Sequence, residues 1–189
     1  MTTATRTAIS MWEIDKTHSN IDFKVKHLMI STVRGHFREF DAKIELDEAK
    51  PENSRVTATV DVASIETNVP DRDAHLRSDD FFNAEKFPKI TFESTTLERH
   101  GDTEFRLTGN LTIRDVTRET ILDGEFEGRL IDPWGNDRAA FSAHTEISRK
   151  DFNVRWNQAL ETGGVAVSDK VKISIYVEAF RQAEPQANG

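Results

Sequence analysis

The sequence predicts an all-β chain closed into an antiparallel eight-stranded barrel, with one short helical segment at an end. Three observations lead to this fold class. Apolar and polar residues alternate with period 2 in run after run, the pattern of half-buried strands. About eight such runs fill 189 residues without a linker, low-complexity tract or internal repeat, and that number suits a sandwich or a closed barrel. The charged segment Asp71–Phe82 is helical in character, stands among strands and ends in Phe81-Phe82, so it reads as a cover over one end.

The elements follow in order. Residues 1–10 are polar and expected to be a flexible N-terminus, and residues 11–181 form the single domain. A strand at 11–15 precedes Ile21, Phe23 and Val25, which alternate with Asp22, Lys24 and Lys26. A strand over 36–47 follows, and then Val56, Ala58, Val60 and Val62 alternate with Thr57, Thr59 and Asp61. Pro70 and Asp71 favour a helix start, while Pro88 forbids helix beyond Phe87. Phe81, Phe82 and Phe87 each gain ~1.5–3 kcal/mol from full burial, so they are expected to close an end of the core.

Strand 89–98 turns at Gly101-Asp102 into Phe105, Leu107, Gly109, Leu111 and Ile113, which share one face. Asp132-Pro133-Trp134-Gly135-Asn136 is turn chemistry, making 119–131 and 138–148 a hairpin. Val171, Ile173, Ile175 and Val177 form the last strand, and residues 182–189 are a polar tail expected to fray.

Composition narrows the function. A net charge of −8, from 33 acidic against 25 basic residues, repels phosphate backbones and argues against a nucleic-acid partner. The absence of cysteine removes disulfides, thiolate metal sites and thiol nucleophiles together. No stretch approaches the ~18 apolar residues of a membrane span. The first ten residues carry Arg6 but no apolar run, so cytoplasmic residence is the expectation.

An eight-stranded barrel is filled by its side chains or holds one small ligand. Here the apolar faces mix Phe with Ala58, Gly109 and Ala143 instead of presenting uniformly bulky residues. Gly109 in mid-strand marks the close approach of a neighbouring strand or of a ligand. The expected lining is Phe23, Val25, Phe37, Phe40, Val60, Phe92, Leu111, Ile113, Phe126, Phe141 and Ile175, a set that an open sandwich would largely share.

Polar candidates are few. His18, His27 and His36 recur every nine residues, but alternation puts His27 on the Phe23 face and His36 on the other, which argues against a shared metal. His27 is either hydrogen-bonded within the core or a head-group contact. Arg72, Asp73 and His75 form either a polar rim at a barrel mouth or an anchor tying the helix to its loops. Arg149 and Lys150 end a strand as a solvated loop, with Arg149 a further rim candidate for an anionic head group. Trp134 and Trp156 are expected to be partly buried under loops, although an exposed tryptophan could mark a homodimer contact.

The chain resembles the YceI-like family of polyisoprenoid-binding, lipocalin-like proteins. The matching residues run from Trp12, Asp15, His18-Ser19, Phe23 and Lys26-His27 through Arg34-Gly35, Phe37 and Phe40. The most specific block is Ser64-Ile65-Thr67, Arg72-Asp73, His75-Leu76, Asp80-Phe81-Phe82, Pro88, Thr91-Phe92 and Ser94-Thr95. Gly109, Leu111-Thr112-Ile113 and Val116-Thr117 continue it. The resemblance implies a lipocalin-like barrel that holds a long isoprenoid, or a similar amphiphilic lipid, for carriage, storage or sequestration. It implies no catalytic residue, no metal and no cofactor beyond the bound lipid. Two other readings stand beside it: an enzyme acting on a lipid head group with Asp73 and His75 as acid and base, and a protein-interaction module with a packed lumen.

Overall fold

The computed structural model describes residues 9–183. Eleven strands are joined into one sheet: β1 Ile9–Ile14, β2 Asn20–His27, β3 Ser31–Phe37, β4 Phe40–Asp47, β5 Arg55–Asp61, β6 Ile65–Glu66, β7 Lys89–His100, β8 Glu104–Ile113, β9 Val116–Ile131, β10 Asp137–Ser148 and β11 Val167–Arg181. Among the described residues there is one α-helix, α1, over Pro70–Arg77. Three pairs of strands continue one another across a kink: β1 with β2, β3 with β4, and β5 with β6. The sheet therefore has eight staves in sequence order, every neighbour antiparallel. It closes where β11 meets β2 through Ile173↔Phe23 and β1 through Trp12↔Arg181.

The kinks have local causes. Between β1 and β2, Asp15 Oδ1 accepts from the Thr17 amide (3.0 Å) and hydroxyl (2.6 Å), folding the chain into an Asx turn. Between β5 and β6, the Asp61 carboxylate accepts from the Ala63 amide and caps a 3-10 turn over Val62–Ser64. The strand expected over 36–47 is broken at Arg38-Glu39, where the Arg38 amide donates to Ser64 O and Glu39 O accepts from the Asp61 amide. Strand β1 begins at Ile9, so Ile9 and Ser10 belong to the barrel and not to a flexible leader; the rest of that leader, and the tail beyond residue 183, lie outside the described residues.

Helix α1 starts where Pro70 and Asp71 place it but ends at Arg77, short of the expected 82. Ser78 stops it by donating both amide and hydroxyl to His75 O, and turns then deliver Phe81 and Phe82 into the barrel end. There the largest buried cluster forms, from Ile14, Phe37, Phe40, Val62, Ile65, Phe81, Phe152, Val154 and neighbours. Phe82 meets the Phe37 ring edge-on at 6.2 Å. A second, small cluster of Trp12, Ala139 and Ala179 lies toward the opposite end. Between the two clusters Phe23, Phe92, Phe105, Leu111 and Ile175 are only half-buried, because they face a hollow.

Candidate functional site

The hollow is an apolar cavity of about 600 Å³ running along the barrel axis. Phe23, Val25, Phe37, Phe40, Val60, Phe92, Leu111, Ile113, Phe126, Phe141 and Ile175 all lie on its wall. Residues outside that expected set complete it, among them Leu97 and, from apolar faces already read in the sequence, Phe105 and Val177. The alternation of side chains across each strand brings these residues together from eight separate staves.

Large aromatic rings would ordinarily fill such a space. Three glycines prevent it. A Cβ on Gly109 would meet the Phe92 ring at 2.5 Å and the Glu93 carbonyl oxygen at 2.6 Å, so the close approach read from the sequence is a neighbouring strand's ring. Phe23 lies over its cross-strand partner Gly35 in the same way, and Phe105 over Gly124. Each ring lies against the wall in the space a side chain would take, which leaves the axis open. A phenylalanine-rich lining is thus compatible with a hollow.

One end of the cavity is shut. Its lining there, Ile65, Phe81, Phe152, Val154 and Arg149, is buried. The Phe81 ring sits 5.3 Å from Trp156 and 5.0 Å from the His75 ring. Arginines tie the cover to the barrel through backbone carbonyls. Arg77 donates to Ala63 O (2.8 Å) and Ile65 O (3.0 Å), and Arg114 donates to Asp79 O, Phe81 O and Asn153 O.

The rim candidates at this end do not form a rim. Asp73 is buried and accepts from the Thr67 amide (2.8 Å) and hydroxyl (2.5 Å), while Arg72 donates to Thr67 Oγ1 and O. They anchor the helix to the loop before it. His75 Nε2 pairs with Asp80 at 2.8 Å, and neither Arg72, Asp73 nor His75 touches the cavity. Arg149 is not solvated: it is 5% exposed and donates to the carbonyls of Ser168, Val154, Trp156 and Val167. Burial pushes its guanidinium below the ordinary arginine range, and Asp169 partly offsets this. Four of its five N–H donors are occupied by carbonyls of its own chain and Asp169 stands 3.8 Å from Nη2, so the group is committed to the cover.

His27 also lies off the cavity wall. It is the last residue of β2, at the base of the hairpin tip, and its partner Val167 on β11 lines the cavity in its place. The other histidines do not gather. His36 pairs with Glu66 at 3.1 Å, and His18 with Asp15 at 3.0 Å. Asp15, His18 and Glu178 do lie within 4.8 Å of one another, but Arg138 already donates to both carboxylates and supplies the positive charge there.

The opposite end is a mouth. Glu48, Arg99, Asp102, Thr103 and Glu104 line the cavity and are exposed: Glu48 just beyond β4, Arg99 near the end of β7, Asp102 and Thr103 on the turn, and Glu104 at the start of β8. Arg129 also lines it, stacked 5.2 Å over the Trp12 ring and bridging Glu48 and Asp137. Arg99 forms no ion pair among the described residues; its one hydrogen bond is a long one, 3.5 Å, to Asp102 O. Nothing in the sequence set Arg99 apart except its place on the Leu97 face of β7, an arginine on an apolar stripe. Trp134, expected to be partly covered, is 81% exposed on the β9–β10 turn at this end.

Comparison with known proteins agrees with this geometry. The family model described as YceI-like domain matches residues 12–179. Protein YceI of Salmonella newport is 38% identical over 173 residues, covering 90% of this chain and 87% of that protein. The crystal structure of Burkholderia cenocepacia BcnA superposes with a TM-score of 0.77 at 24% identity, covering 87% of this chain and 98% of that one. A structure of a polyisoprenoid binding domain from Saccharophagus degradans, implicated in plant cell wall breakdown, superposes with a TM-score of 0.69 at 13% identity over 90% and 98% of the two chains. With its barrel, its cover and its whole domain matched, the chain belongs to the YceI-like domain family.

Proposed function

We propose that the barrel binds a long apolar chain of the isoprenoid type and carries or stores it without converting it. The observation that carries this reading is the cavity itself, about 600 Å³ of apolar space kept open by rings pressed onto glycines. If a methylene group takes about the ~30 Å³ that a water occupies in the liquid, the space admits on the order of 20 such groups. Each contributes up to ~0.8 kcal/mol when buried, so affinity comes from length. The name of the Saccharophagus degradans neighbour supports the choice of ligand class. A hollow lumen is the opposite of what an interaction module with a packed barrel requires, and the acid–base candidates Asp73 and His75 lie outside the cavity, which favours binding over turnover.

The polar end of the ligand belongs at the mouth beside Arg99, the lining arginine whose donors are least occupied. The test uses protein stripped of lipid by organic extraction and then offered squalene, a polyprenol and a polyprenyl phosphate. Uptake of all three is expected. Arg99→Leu should weaken the two oxygen-bearing ligands about tenfold and leave squalene unchanged. Failure of the stripped protein to take up any of them would end the carrier reading.

A further inference from the structure

The outer face of the β2–β3 hairpin combines two features that are each costly without a partner. The first is its tip. Leu28, Met29 and Ile30 are three consecutive apolar residues, 40%, 60% and 84% exposed. The Ile30 amide donates to His27 O at 3.2 Å, and φ is positive at both central residues, 50° at Leu28 and 62° at Met29. That is the type I′ pattern, a conformation that ordinarily selects asparagine and glycine. Large apolar side chains held in it, and held out in water, oppose both backbone preference and hydration.

The second feature is charge. Phe23 and Val25 face the lumen, so Lys24 and Lys26 face outward. Lys24 stands directly between Arg34 on β3 and Lys172 on β11, three cations in one cross-strand row. Like charges opposite one another destabilise a sheet. Lys24, Lys26, Arg34 and Lys172 are all exposed and form no ion pair among the described residues. Of the nearby carboxylates, Glu146 stands opposite Lys172 on β10 and feels its charge, but its ion pair is with Lys170 (2.7 Å); Asp169 pairs with Lys150 (2.9 Å), and Asp22 accepts from the Asn20 amide group. This row belongs to a chain of net charge −8.

We infer that this flank docks the protein on an anionic lipid bilayer, with the hairpin tip seated among the acyl chains and the cationic row against the head groups. Apolar insertion combined with basic flanking residues is the physical recipe for reversible attachment to such a surface. A second exposed apolar tip, Leu130, Ile131 and Trp134, does not meet it, because the cations beside it are already ion-paired, Arg129 with Asp137 and Glu48, and Arg138 with Asp132, Asp15 and Glu178. The docking flank lies toward the covered end of the barrel, so attachment leaves the mouth free. Adhesion is therefore separable from whatever the lumen holds.

Co-sedimentation with vesicles tests this. The wild-type protein is expected to pellet with phosphatidylcholine vesicles containing phosphatidylglycerol, to stay in solution with phosphatidylcholine alone, and to release as salt is raised. Each cation removed should weaken attachment about fivefold, and the reversal Lys24→Glu with Arg34→Glu by tenfold or more. Met29→Asn with Ile30→Ser should cost roughly another tenfold, with squalene uptake by the lumen unchanged in every variant. If the double reversal does not fold, Lys172→Gln carries the same test at about fivefold. A wild-type protein that ignores the anionic vesicles, or binds neutral ones as well, overturns the inference. So does a tip variant that attaches undiminished, which would show that the hairpin tip is not seated among the acyl chains.

Discussion

The two ends of this barrel are built from the same residue types and behave differently. At the covered end, Arg77, Arg114 and Arg149 donate to nine backbone carbonyls between them, and the aromatic rings of Phe81, Phe82 and Trp156 fill the space beneath. The cover's own carboxylate contacts, Arg114 with Asp79 and Arg149 with Asp169, are to exposed or half-exposed aspartates. At the mouth carboxylates take the place of carbonyls: Arg129 pairs with Glu48 and Asp137, and Arg138 with Asp15, Asp132 and Glu178. A carbonyl cannot move away without moving the fold, whereas a carboxylate on a turn can exchange its partner for water. One end is a permanent closure, and the other can admit a guest without unfolding anything.

The contrast breaks most visibly at Arg149. Arg149→Met keeps the aliphatic stem but takes the arginine donors from the carbonyls of Val154, Trp156 and Ser168, the first of them buried, while Val167 O keeps its bond from the Asn157 side-chain amide (2.7 Å). Unsatisfied buried acceptors cost ~1–3 kcal/mol each when water cannot reach them. Allowing for relaxation, a loss of about 3–5 kcal/mol is expected in urea unfolding. A loss below about 1 kcal/mol would mean that the cover is held by its aromatics alone.

A smaller effect sharpens the picture of the hollow between the ends. Gly109→Ala places a methyl group against the Phe92 ring and against a carbonyl oxygen that cannot yield, so about 1–3 kcal/mol is expected from overpacking. In Gly124→Ala the three nearest atoms all belong to the Phe105 ring, which can swing inward. That variant should stay near wild-type stability and lose capacity for long-chain lipid. Equal uptake by Gly124→Ala and wild type, measured by mass spectrometry after extraction and reloading, would show that the rings are not what keeps the lumen open.

Much of the architecture was legible because strand alternation is a local signal. Phe23, Phe92 and Leu111 announced their face within a few residues, and every apolar lining position expected from the sequence lies on the cavity wall. The polar residues were another matter. Whether Arg149 meets solvent or four carbonyls depends on loop 149–166 folding back on itself, and bonds from an arginine to backbone leave no pattern in sequence. Asp73 and His75 drew attention because they stand on a conspicuous charged helix, yet the helix is on the closed side. Arg99 was overlooked because the mouth is defined by which end is not covered, a property of the closed sheet and not of any segment. His27 continues the Phe23–Val25 alternation, but β2 ends at it and the cavity wall does not reach that far along the strand.

The gentlest way to separate the two ends is acid. Hydrogen bonds from the Thr17 hydroxyl, Arg138 and His18 hold the Asp15 carboxyl well below the usual carboxylate range. At Asp132 burial pushes the carboxyl up, but hydrogen bonds from Asn136, Arg138 and the Trp134 amide outweigh it, and the net shift is again downward. Asp137 is lowered mainly by its hydrogen bonds from Arg129. A carboxylate whose folded pKa is depressed contributes stability that is fully present above its unfolded value, near 4, and is lost as the pH falls toward the folded value. All three belong to the mouth's network, whereas the bonds from Arg77 and Arg149 to carbonyls contain nothing that titrates in that window. Lowering the pH from 7 to about 3 should therefore raise amide hydrogen exchange in the β9–β10 turn, residues 132–136, before it rises under the cover at 149–156. Asp132→Asn should show part of that loosening already at neutral pH, and protection lost first at the covered end would reverse the assignment of which end is closed.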